Sequence, residues 1–159
     1  MEFLTAVENS GFGTWVRESP SLWAYPGILF LHTVGLSFLV GLNATIDLRL
    51  LGCVKRLPVA PMEGFYRVMW AAFVVNALTG TALLVANATT KATNPAFYFK
   101  MGFITLAMID LVMLRRAAFR QPRETGVAPG SARVLAAASL LSWTGAIIAG
   151  RLMAYFGQG

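Results

Sequence analysis

At 159 residues, 57% hydrophobic and 13% charged, with a mean hydropathy of +0.63, the chain is too apolar for a soluble domain, which would be about a quarter charged. Four spanning helices of about 20 residues each, with short loops, would use nearly all of that length and leave no separate soluble domain. The net charge of +6 does not point to nucleic acid, because the basic residues gather at the ends of apolar segments, where topology signals and phospholipid contacts place them.

Residues 1–20, MEFLTAVENSGFGTWVRESP, lack the basic start and apolar core of a signal peptide, so they are expected to be retained. Phe3, Leu4, Val7, Phe12, Trp15 and Val16 interleave with acids and Arg17 around Gly11 and Gly13, which predicts a short amphipathic segment lying on the membrane surface. Trp23 and Tyr25, flanked by Pro20 and Pro26, are aromatic residues of the kind that sit at headgroup level. A first span is predicted over residues 26–51, with Pro26 in the first turn, where a missing N–H costs little.

Pro58 and Pro61 in CVKRLPVAPMEG end that helix. A second span follows over 65–86, with Met69, Phe73, Asn76, Gly80 and Asn87 on one face. The connection ANATTKATN leads to Pro95 and a third span over 96–114 that holds Lys100 and Asp110. Residues 115–130 form the most basic loop, and a fourth span over 134–155 holds Trp143 and Arg151. The Asn-X-Thr triplets at Asn43 and Asn87 are poor glycosylation acceptors and too weak to mark a repeat. The fold class is therefore all-α, a single membrane domain built as a four-helix bundle. Arg49, Lys55, Arg56 and Arg67 around the first turn, and Arg115, Arg116, Arg120, Arg123 and Arg133 around the third, belong on the cytoplasmic side. Both termini and the middle connection, which offers only Lys91, then face the opposite, periplasmic side.

Within the first span, steps of three or four residues lead from His32, the sole histidine, through Gly35, Leu36 and Leu39 to Asn43 and Asp47. That polar and small-sided face should look into protein rather than lipid. With about 1.5 Å of rise per residue, His32, Lys100 and Arg151 all fall roughly 8–9 Å inside the same outer leaflet. Asp47, Arg49, Arg67 and Asp110 lie toward the cytoplasmic end, where two acids and two bases can neutralise each other and fix register, or line a proton or ion pathway.

The outer group has two cations and an imidazole but no carboxylate at its depth. Lys100 and Arg151 either snorkel to the interface or hold an anionic group of a ligand whose apolar body lies between helices. His32 has three readings: a hydrogen bond to Asn76 or Tyr98 that only holds the helices, an axial bond to haem b, or a hydrogen bond to a quinone. In the haem reading His32 is the metal ligand, Lys100 and Arg151 hold the propionates, and Phe30, Phe97, Phe99, Phe103 and Trp143 wall the ring. Met101, Met153, a water, an open site or His32 of a second copy would complete the iron.

The single cysteine, Cys53, excludes an intrachain disulfide and any CxxC motif. No zinc or iron–sulfur ligand spacing, phosphate loop or nucleophile elbow is present. The methionines are scattered along helices, which suits core packing better than a copper path. AxxxG from Ala146 to Gly150 is a common close-packing signal.

The stretches SLWAYPGILFLHTVGLSFLVGLNATIDLRLLG, LTGTALLVANATTKATNPAFYFKM and SWTGAIIAGRLMAY resemble a family of small bacterial inner-membrane proteins of unknown function with four predicted helices. His32, Asp47, Arg49, Lys100, Trp143 and Arg151 are among the matching positions. The resemblance implies a bacterial inner-membrane location and carries no chemistry. A fainter similarity, in architecture more than motif, is to membrane b-type cytochrome subunits, from whose diheme members this chain differs in lacking paired histidines. The expectation is a redox or electron-transfer subunit that works with a partner redox subunit or a second copy. The alternatives are a structural or accessory subunit, whose charges only set register, and a small ion or proton transporter that uses Asp47 and Asp110.

Overall fold

The computed structural model describes residues 1–54, 56–58, 60–119 and 130–156. Its helices are α1 (Glu2–Glu8), α2 (Gly11–Glu18), α3 (Tyr25–Leu51), α4 (Phe65–Val85), α5 (Ala88–Ala92), α6 (Pro95–Phe119) and α7 (Gly130–Phe156), with a 3-10 turn, η1 (Ala60–Gly64), before α4. No strand occurs among the described residues. The four long helices α3, α4, α6 and α7 are each long and apolar enough to cross a membrane. The molecule is thus an all-helical, multi-pass membrane protein by length and composition.

The helix ends follow local chemistry. Ser10 opens α2, its Oγ accepting from Gly13 N at 3.2 Å, and so satisfies one of the first-turn amides that a helix leaves without a partner. Pro26 sits in the first turn of α3, and Gly52 closes that helix at φ 90°, with Gly52 N and Cys53 N returning to the Arg49 and Leu48 carbonyls. Only glycine takes that left-handed closure without strain. Asn94 caps α6 through Oδ1 to Ala96 N at 3.0 Å, with Pro95 in the first turn.

Three features differ from the expected ones, one of them the start of α7, at Gly130 rather than near residue 134. Helix α6 runs on to Phe119 instead of ending near residue 114, because Arg115 and Arg116 are good helix formers that need no apolar surroundings once past the spanning stretch. The connection over 86–94 contains its own short helix, α5. The N-terminal segment forms two helices: α1 packs on α5, and α2 packs on α4.

Residue pairs fix the register of the long helices. Gly35 of α3 lies against α4, where a Cβ would stand 3.2 Å from the Ala72 carbonyl oxygen, so the missing side chain is what lets the two backbones meet. On α6 and α7, a Cβ at Gly145 would stand 2.8 Å from the Phe103 ring, and Asn94 reaches the Met153 carbonyl. Asn43 of α3 meets Ser139 of α7. Between these contacts lies a core that includes Leu39, Ile46, Leu50, Tyr66, Met69, Leu111, Leu114 and Trp143. Phe30, Phe38, Leu78, Leu106 and Leu141 point outward and are exposed, as lipid-facing side chains do.

Candidate functional site

His32 stands two turns into α3, on the face that continues through the buried Gly35, Leu39, Asn43, Ile46 and Asp47. Its Nδ1 lies 3.0 Å from the Asn76 carbonyl oxygen and 3.0 Å from Thr79 Oγ1, while Asn76 Nδ2 donates back to the His32 carbonyl at 2.7 Å. A backbone carbonyl can only accept, so Nδ1 carries the proton. The Thr79 hydroxyl sends its own hydrogen to the Val75 carbonyl at 2.7 Å, which leaves its lone pairs to receive the same Nδ1–H. Gly80 makes the approach possible, since a Cβ there would be 3.0 Å from His32 Cε1. Nε2 therefore keeps its lone pair, and no hydrogen bond to it exists among the described residues. An imidazole with Nδ1–H fixed on a carbonyl and Nε2 bare has the geometry of a metal-ligating histidine.

Two lysines act on this imidazole through space, Lys100 and Lys91. Lys100 lies along α7 at Gly150, with Cδ and Cε 3.7 Å from where a Cβ would be. Lys91, on α5 and outside the spanning segments, donates to the Leu83 carbonyl at 2.6 Å, closing the end of α4. Burial, and then the Lys100 charge, lower the Lys91 pKa to about 8. The N-terminal helices lie over the same end. Glu8 Oε2 accepts from Thr89 N at 2.8 Å and Thr89 Oγ1 at 2.6 Å, and Arg17 Nη1 donates to the Ala86 carbonyl at 3.1 Å. Those bonds from Thr89, its hydroxyl first, hold the Glu8 carboxyl below its ordinary range.

The other expected members of this site are spread out. Arg151 is exposed and makes no hydrogen bond or ion pair among the described residues. Trp143 is buried in the core, its Nε1 without an acceptor. Phe97 is half-buried, edge-on to Tyr98, whose hydroxyl turns to the Ala92 carbonyl. Met101 is exposed and Met153 half-buried. Phe30 and Phe99 face outward, and Phe103 packs at Gly145.

The acids and bases expected to pair near the other end do not pair. Asp47 is fully buried. Arg49 instead turns its Nε to the Leu57 carbonyl at 2.5 Å, Arg67 is exposed, and Asp110 is half-buried without an ion pair among the described residues. Asp47 lies among neutral partners: Asn43 Nδ2 donates to Asp47 Oδ2 at 2.7 Å and to Ser139 Oγ at 2.6 Å. The arginines lie nearer the end of the chain's apolar stretches, where side chains reach loop carbonyls and water more cheaply than a buried carboxylate.

The chain matches no family model, no curated protein and no solved structure. The site must therefore be read from its own chemistry. Lys91, Thr79 and Ser139 are the functional neighbours that sequence reasoning missed. Lys91 was legible only as a loop charge, because nothing in its spacing shows that α5 folds it over the end of α4. Thr79 was legible in principle, since it neighbours Asn76 on the helix surface.

Proposed function

We propose that this protein is a redox subunit of a bacterial inner membrane, a four-helix bundle with both ends on the periplasmic side, that binds haem b through His32. The observation that carries this reading is the oriented imidazole: Nδ1–H is committed to the Asn76 carbonyl, and Nε2 keeps its lone pair on a ring that feels the charges of Lys100 and Lys91. Lys100 and Lys91 are the groups suited to the propionates, and Arg151, by its exposure, is not needed for them. Bound haem would supply one-electron transfer, exchanged with a partner redox subunit, a second copy or a quinone. The protein's own part is to fix the ring tautomer, balance the ligand's negative charge and keep the site inside an apolar helical frame.

A second reading is favoured by one further observation. The reciprocal His32–Asn76 bonds also tie α3 to α4 directly, which is what a structural or accessory subunit would need from this residue. The experiment that separates the two uses the full chain, expressed with adequate haem supply and purified. The redox reading expects a Soret band that shifts on reduction and is lost in His32→Ala. The structural reading expects no Soret band in either protein and a lower thermal midpoint for the variant.

A further inference from the structure

One buried group takes no part in the His32 site. Asp47 lies inside the spanning segment of α3 and is fully buried, as are Asn43 and Ser139 beside it. Ser139 of α7 shares its hydrogen-bond cluster, and the titratable groups in electrostatic reach of it are Tyr66 on α4 and Asp110 on α6, whose charge acts on Asp47. Arg115 reaches over the Tyr66 ring at 5.5 Å and pairs with Glu63 at 3.6 Å. No base forms an ion pair with Asp47 among the described residues.

The hydrogen-bond donors around this carboxyl are neutral. Both hydrogens of Asn43 Nδ2 are used, one on Asp47 Oδ2 and one on Ser139 Oγ. Asn43 Oδ1 and Asp47 Oδ1 remain, both buried acceptors without a partner. The remaining buried donors on α7, the Ser139 hydroxyl, which hydrogen-bonds the Asp47 carboxyl, and Trp143 Nε1, are neutral and cannot balance a carboxylate's charge. A buried carboxylate without a counter-charge is neutralised rather than tolerated, and two open acceptors are too few to cage a metal ion. What fits is one hydrogen.

We propose that Asp47 is a proton-binding site within the membrane: a carboxylic acid that carries its hydrogen on Oδ1, the buried acceptor left open. The step adds one proton to the Asp47 carboxylate or removes it, with no change in oxidation state. It stands on residues separate from His32 and holds whether or not haem binds there.

The test is infrared difference spectroscopy of the full chain in lipid, read in the carbonyl stretch of protonated carboxylic acids, with transfer from H2O to D2O. The wild type should show such a band at neutral pH. Asp47→Asn should lose it, and Asp110→Asn should keep it. If Asp47→Asn fails to accumulate, Asp47→Glu serves: the band should persist at a shifted frequency. Absence of an acid band in the wild type, or its survival in Asp47→Asn, overturns the site. Disappearance of the band on adding sodium chloride assigns the cluster to a metal ion instead, and its loss in Asp110→Asn with survival in Asp47→Asn moves the proton to Asp110.

Discussion

The two polar clusters on one face of α3 are built in opposite senses. Around His32 every fixed group is a donor or a cation apart from the carbonyl and hydroxyl that hold Nδ1, and the open atom is a lone pair among positive charges. Around Asp47 the open atoms are two buried acceptors, Asn43 Oδ1 and Asp47 Oδ1, with no base paired to the acid among the described residues. The first cluster therefore calls for an anionic, metal-bearing ligand and the second for a proton. About 22 Å of helix separates the two residues along α3, so one apolar frame holds two sites of opposite demand.

Substitutions should break this contrast unevenly. The largest effect is expected at the acid cluster: Asn43→Leu removes the amide that serves both Asp47 Oδ2 and Ser139 Oγ and should cost about 3 kcal/mol of stability in reversible unfolding. Asp47→Asn keeps the shape of a group that is already neutral, so it should change stability by less than about 0.5 kcal/mol. A counter-ion role for Asp47 would reverse that order.

At the other cluster, Gly80→Val pushes a side chain into the place of the His32 ring. It should lower haem retention by about tenfold, or about 1.4 kcal/mol, in a titration followed by absorbance. Over the same end, Glu8→Gln weakens the bonds to Thr89 and should cost about 1 kcal/mol. The folded Glu8 carboxyl sits below its unfolded value of 4.5, so its contribution is present above that value and is lost as pH falls through the lower, folded one. A melting curve of the wild type against pH should show this loss on the acid side, and Glu8→Gln should flatten it.

The smallest effect concerns Lys91. Its folded pKa of about 8 lies below the free value of 10.5, so between those two values the unfolded chain holds the extra proton and stability rises with pH. The same deprotonation removes one of the two cations acting on His32. Affinity for an anionic ligand should therefore fall about threefold from about pH 7 to about pH 9, and Lys91→Gln should abolish that dependence.

Much of the frame was legible from the apolar runs. The four spans, the proline at the start of α3 and α6, and the polar face from His32 to Asp47 all follow from patterns a few residues long. What was not legible depends on folding between segments. Lys91 reads as a loop charge until α5 closes the end of α4. Arg151 shares a depth with Lys100, yet depth says nothing of direction around a helix, and the structure turns it outward while Lys100 lies along Gly150. Asp47 and Arg49 look like partners because they are two residues apart, but residues so spaced face different sides of a helix, and Arg49 turns to the Leu57 carbonyl. Trp143 was expected at a ligand and is instead a core residue beside Ser139 on α7.

The most direct measurement of the central claim uses the fact that the chain has one histidine. With nitrogen-15 histidine incorporated, the two ring signals of His32 can be assigned without ambiguity in the ligand-free protein in lipid. The account predicts Nδ1 bearing a proton and Nε2 bare at neutral pH, with the Nε2 signal alone strongly perturbed when haem is added. A proton on Nε2 with Nδ1 bare, or an imidazole indifferent to haem, would contradict it.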